Sequence, residues 1–196
     1  TLAGQLPAGA LMTLETRNAG PAIDRLLKMT ANIVEATGEE EVAQTLNGMQ
    51  QLAKGVLGKE SVLGVFSVGR DGGKFSPELL GVAKLDDLGS EMMASMIPSK
   101  AGARVGKYTF SRKDGMFVGI TGDLVYFSTN KTLLMGYLGR LSGKDAPRLM
   151  SSSTYSQPTK AIGQQELSFF ANFSATAKVI RSQLKTAFLP RLFAPI

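Results

Sequence analysis

The sequence predicts an α+β domain: an antiparallel or mixed sheet covered on one face by helices. Three observations carry this prediction. Apolar and polar residues alternate with the strand period in short segments at 11–16, 61–68, 78–85, 104–111, 115–121, 123–128 and 166–172. Apolar residues recur with the helical period at 21–36, 39–54 and 130–142. Most of the later strands follow one another across short Gly- and Asp-containing turns, which is the pattern of hairpins and not of helix-linked parallel units. A chain of 196 residues and 20.8 kDa is long enough for one substantial core without staples.

In chain order, the strand at 11–16 runs through Asn18-Ala19-Gly20 to Pro21, a residue suited to the first helical position. Ile23, Leu26, Leu27, Ile33 and Val34 stripe the first helix, and Gly38 stops it. Glu39, Glu40 and Glu41 open a second helix, where carboxylates favour the positive end of the macrodipole. The two read as an antiparallel pair. A β-hairpin follows at 61–68 and 78–85 around Gly72-Gly73. Asp86 and Asp87 start a short helix that Pro98 ends, and a meander of three strands over 104–128 leads to a helix capped by Thr129 or Asn130 and stopped by Gly143.

Residues 1–150 thus form the α+β domain. Residues 151–165, rich in Ser, Thr, Gln and Pro, read as linker-like because they supply little to bury. Residues 166–196 repeat the strand-then-helix order of 11–36 and read as the opening of a second copy.

Composition narrows the chemistry. The chain has no Cys and no His, which removes thiolate metal sites, disulfides, and Ser-His or Cys-His catalysis. No stretch reaches the roughly 18–20 apolar residues of a membrane-spanning helix. Residues 1–99 carry 8 Lys/Arg against 12 Asp/Glu, while 100–196 carry 14 against 4, so the net +6 resides in the second half. The lead-in through Leu6-Pro7-Ala8 has the small-residue character left after a signal peptide is removed, so an exported protein is expected.

Four groups of residues are candidates for function. The basic cluster Lys100, Arg104, Lys107, Arg112 and Lys113 suits an anionic polymer. Read as one strand, 104–111 places Arg104 and Arg112 on one face with Tyr108 and Phe110, and Lys107 on the other, so the charges diverge. Sequence-independent nucleic-acid binding, with Tyr108 and Phe110 stacking on bases, is the alternative reading, although core packing explains the same aromatics. A second group, Met92, Met93 and Met96, offers a plastic surface or a core lip. The third, Ser182 and Lys185, has the S-x-x-K spacing of serine acyl-enzymes without the accompanying S-D-N and K-T-G, and is a weak third reading as a hydrolase. Finally, Val179, Ile180, Leu184 and Phe188 line one face of the C-terminal helix, which is followed by an apolar tail, and suit a partner or self-association. Asp71, Asp86, Asp87, Asp114 and Asp123 sit beside Gly or at helix starts, where turn and cap duty explains them.

Leu6-Pro7-Ala8 before a strand, the helix from Pro21, and the run Leu124-Val125-Tyr126-Phe127-Ser128-Thr129-Asn130 before a helix resemble the bacterial family catalogued as domain of unknown function 3352. The similarity spans roughly residues 6–185 and rests on hydrophobic pattern. It implies an exported, periplasmic or cell-envelope protein, often built of repeated halves, with no catalytic motif. The expected function is therefore that of a non-enzymatic envelope module, without cofactor or metal, that binds a partner protein or an anionic envelope polymer.

Overall fold

Hairpin joins hairpin until eight strands lie in one antiparallel sheet, in the order β4-β5-β6-β7-β3-β2-β1-β8. The computed structural model describes residues 1–19, 59–71, 74–97, 102–162 and 165–179, with Pro21 and Arg181. The strands are β1 (Met12–Arg17), β2 (Glu60–Asp71), β3 (Lys74–Lys84), β4 (Ala103–Val105), β5 (Tyr108–Lys113), β6 (Met116–Thr121), β7 (Leu124–Ser128) and β8 (Leu167–Ala171). The α+β class with an antiparallel sheet is as the sequence predicts. The helices expected over 21–36 and 39–54 lie outside the described residues.

Local chemistry explains the connections. Asp114 and Gly115 both take left-handed backbone, at φ 49° and 81°, which a two-residue turn between β5 and β6 requires. Asp86 accepts from the Gly89 N–H at 2.7 Å to start helix α1 (Asp87–Met96). Asn130 does the same for the Leu133 N–H at 3.1 Å at the head of α2 (Lys131–Leu141), and Gly143, at φ 89°, lies just past its end.

Alternation divides the sheet into two apolar faces. Val62, Leu80, Val82 and Tyr126 point to the first, with Tyr108 and Phe110 in the same cluster. Leu134, Tyr137 and Leu138 of α2, together with Leu2, Leu6, Leu149 and Tyr155, complete that core. The N-terminal lead-in is thus core material: Leu6 is fully buried, its carbonyl accepts from Leu149 N at 2.7 Å, and Arg140 Nε donates to Gln5 O at 2.8 Å. Ala83 and Val125 point to the opposite face, where with Leu85 they pack against Met93 of α1 and against Ile97, which follows it.

Two sequence readings need correction. The segment 104–111 is not one strand but the β4–β5 hairpin, which turns at Gly106-Lys107 with Gly106 at φ 58° and pairs Val105 with Tyr108. Beyond Phe110, β5 leaves β4 and pairs with β6 from Ser111 onward. Tyr126 marks the change of partner, because its hydroxyl donates to Thr109 O at 2.7 Å and lies 2.8 Å from Thr121 Oγ1. The second correction concerns 151–165. Instead of a linker, residues Ser153–Ile162 form helix α3, with Pro158 inside it. Tyr155 supplies the buried anchor that composition hid: it is in the core, its ring meets Phe170 edge-on at 5.1 Å, and its hydroxyl donates to Glu15. Burial and that carboxylate raise the Tyr155 pKa, so the hydroxyl stays protonated as the bond requires. The strand expected at 166–172 forms as β8 and belongs to the same sheet, paired with β1 from Met12↔Ala171 to Thr16↔Leu167.

Glu60 ties the start of β2 to its surroundings. Its Oε1 accepts from Leu2 N at 2.6 Å and its Oε2 from Lys84 Nζ at 3.1 Å. Burial works against ionisation, but the Leu2 N–H and the Lys84 ammonium outweigh it and hold the carboxyl below its ordinary 4.5. A depressed carboxylate stabilises the fold above its unfolded pKa, and that contribution is lost as pH falls through the folded value. Glu60→Gln is therefore expected to lose about 1 kcal/mol near neutrality, an amount discounted for the exposed Lys84. Urea melts as a function of pH should show wild type and variant converging below about pH 4.5; a constant gap would refute the assignment.

Candidate binding face

The second face of the sheet carries an apolar row in strict register. Val118 of β6 pairs with Phe127 of β7, Phe127 with Gly81 of β3, Gly81 with Leu63 of β2, Leu63 with Leu14 of β1, and Leu14 with Phe169 of β8. Residues directly opposite in an antiparallel ladder share a face, so the row is continuous across six strands. Leu14, Leu63 and Phe169 are exposed. At the other end, α1 overhangs the row and makes a groove of about 330 Å³, walled by Met93, Met96 and Ile97 from the helix and by Met116, Val118 and Phe127 from the sheet. That is within the size range of small-ligand clefts.

One glycine shapes the groove floor. A Cβ at Gly81 would lie 2.2 Å from Cε1 of the Phe127 ring, so the ring lies flat over β3 only because that position has no side chain. The groove's rim is held by Lys113, whose Nζ donates to Met96 O at 2.8 Å and so ties the last turn of α1 to the end of β5. Polar groups are few. Lys113 is engaged with that carbonyl, and Asp114 occupies the β5–β6 turn. Such a lining can exclude water from an apolar surface, and among the described residues it holds no Ser, Thr or Cys nucleophile.

The basic residues predicted as a binding cluster do not converge. Arg104 is exposed on β4 opposite Thr109, and its Nε donates to Gly106 O at 2.7 Å. The shared face expected for Arg104 and Arg112 therefore fails with the single-strand reading, because the chain reverses between them. Arg112 lies with its guanidinium 5.9 Å from the centre of the Phe117 ring, and its neighbour Lys113 points to the opposite face. Lys107 Nζ sits 5.5 Å over the Tyr108 ring. Tyr108 and Phe110 are buried in the core, so neither is free to stack on bases. Lys100 lies outside the described residues, as do Ile180, Ser182, Leu184, Lys185 and Phe188. Val179 is half-buried at the end of the helical stretch 173–179, which Asn172 caps through the Ala175 N–H at 3.0 Å.

Of the groove residues, the sequence reading singled out Met93 and Met96 but missed Gly81, Met116, Val118 and Phe127. A signal was present: β7 reads Leu-Val-Tyr-Phe-Ser, apolar at four consecutive positions, and a strand of that kind is covered on both faces. Comparison of the chain with family models, with curated proteins and with solved structures returns no match.

Gly81→Ala is expected to cost about 1–3 kcal/mol by forcing the Phe127 ring off the sheet. In a Phe127→Ala background, where the ring is gone, the same change should cost less than half as much. Denaturant unfolding of the four proteins measures this coupling, and additive effects would show that the contact does not shape the groove.

Proposed function

We propose that this chain is a non-enzymatic module of the bacterial cell envelope that binds an apolar segment of a partner protein in the Met-lined groove between α1 and the sheet. The observation that carries this reading is the groove itself. Its walls are apolar, three of its lining side chains are flexible methionines that adapt to an irregular surface, and the Lys113 ammonium at its rim is already engaged with the Met96 carbonyl. The envelope assignment rests on the resemblance to the family of domain of unknown function 3352. An anionic polymer or nucleic acid is the less favoured ligand, because Arg104, Lys107, Arg112 and Lys113 each engage a carbonyl or a ring of their own chain and face different directions.

Salt separates the two readings. A photo-crosslinking amino acid at Met96, introduced in the native host, captures whatever occupies the groove, and the purified partner is then titrated across a salt series. Binding to apolar surface should change little with salt, whereas a polyanion would lose affinity steeply, by roughly 10³ or more between ~50 and ~200 mM for six or more phosphate contacts. Met96→Glu with Met116→Glu should weaken binding at least tenfold while leaving the urea midpoint within experimental scatter, since both side chains are exposed at the groove. A steep salt slope, or unchanged affinity in the double variant, would refute the proposal.

A further inference from the structure

The two edges of the sheet are built differently. At one edge, β4 is only three residues long and carries the exposed Arg104, features that blunt an edge against further pairing. At the other edge, β8 is five residues of Leu-Ser-Phe-Phe-Ala with no charge, no proline and no bulge. Its pairing with β1 determines which backbone groups remain open. Arg17 N donates to Glu166 O at 2.8 Å and Asn172 N donates to Leu11 O at 2.7 Å, so residues 166, 168, 170 and 172 turn their peptide groups toward β1. Leu167, Phe169 and Ala171 therefore turn theirs outward. The side chains of these same three residues lie on the exposed apolar face, where Leu167 is 63% and Phe169 65% exposed. The inner side of β8 is fixed, because Phe170 packs on Tyr155. Among the described residues nothing pairs with these outward donors and acceptors, and an uncharged edge held in place on its inner side is a template for another strand.

We infer that β8 is a dimerisation strand, which pairs antiparallel with β8 of a second copy of this chain about a two-fold axis at Phe169. The register is self-complementary, as a two-fold interface demands. Phe169 faces its counterpart, Leu167 faces Ala171, and each of these pairs exchanges both backbone hydrogen bonds through the outward groups. The flanking Glu166 falls opposite Asn172, so no two acids meet. The apolar row then passes without a break through Leu63, Leu14 and Phe169 into the same residues of the second copy, and each exposed Phe169 ring gains its counterpart as a cross-strand neighbour. This inference does not depend on the groove: the edge and the groove share no residue.

The test uses the whole chain. Sedimentation velocity over a concentration series should show a monomer–dimer equilibrium, and Phe169→Lys, which places like charges opposite one another, should raise the dimer dissociation constant at least tenfold. The absence of cysteine allows a second measurement that does not rely on a disruptive variant. Phe169→Cys puts two thiols across the axis in a hydrogen-bonded pair, where Cα atoms stand about 5.5 Å apart, a separation that a disulfide spans. Under mild oxidation it should form a covalent dimer at least tenfold faster than Leu88→Cys, an exposed position on α1. A chain that stays monomeric at every concentration overturns the inference, including the case in which its own residues protect the outward amides of β8 from hydrogen exchange. A dimer that persists undiminished in Phe169→Lys, or equal oxidation rates for the two cysteine variants, also overturns it.

Discussion

A sheet that is apolar on both faces has to be covered twice, and that requirement organises this molecule. On one face, cover comes from several directions: α2 lies against β7 and β4, the N-terminal turn tucks Leu2 and Leu6 beneath it, and Leu149 and Tyr155 fill the remaining space. Tyr126 stands at the centre of that face, fully buried. Its hydroxyl donates to the Thr109 carbonyl where β5 changes partner, so that acceptor stays paired. A Cβ at Gly119 would lie 2.2 Å from the same carbonyl oxygen and 2.5 Å from the Tyr126 ring, which explains the missing side chain there. On the other face, α1 packs on Ala83, Leu85 and Val125, and among the described residues Leu14, Leu63 and Phe169 are exposed.

Much of this was legible before any coordinates because the relevant signals are local. Asp86, Asn130 and Gly143 mark helix ends through single hydrogen bonds or a single backbone angle, and Asp114-Gly115 marks a turn for the same reason. The β4–β5 hairpin escaped because Val105-Gly106-Lys107-Tyr108 also alternates, and alternation alone does not say whether a glycine continues a strand or reverses it. Helix α3 escaped for another reason. Its ten residues are polar except at a few positions, and what holds them is one tyrosine whose ring and hydroxyl meet Phe170 and Glu15, partners that no local pattern reveals. The groove lies between these cases: the apolar run of β7 announces two covered faces, but the register that brings Val118, Phe127 and Gly81 into one row is a property of the assembled sheet.

The basic second half shows how charge totals mislead. Fourteen Lys and Arg residues against four acids describe a strongly basic segment, yet the side chains around the meander serve local ends. Lys113 ties α1 to β5, Arg112 lies over the Phe117 ring, and Arg104 bonds to the carbonyl of the turn it precedes. Arg140 extends the pattern inward: it is 7% exposed, it bonds to Gln5 O, and burial lowers its pKa. Long-range attraction depends on how charges are arranged as well as on how many there are, and this arrangement disperses them.

The buried and half-buried polar groups lead to the same conclusion about chemistry. Each of the longest-range polar contacts joins a terminal part of the described chain to the sheet or to α2. Glu60 meets Leu2 across 58 positions, Arg140 meets Gln5 across 135, and Tyr155 meets Glu15 across 140. A buried carboxylate or guanidinium contributes to catalysis when a reacting group can reach it and its protonation state is poised near the working pH. Here the Glu60 carboxyl is held ionised by a peptide N–H and an ammonium, and the Tyr155 hydroxyl is held protonated by burial and a neighbouring carboxylate, so both are fixed in the state that the tether needs. Among the described residues, the groove and the exposed row present mainly apolar side chain, which is an element of binding surfaces.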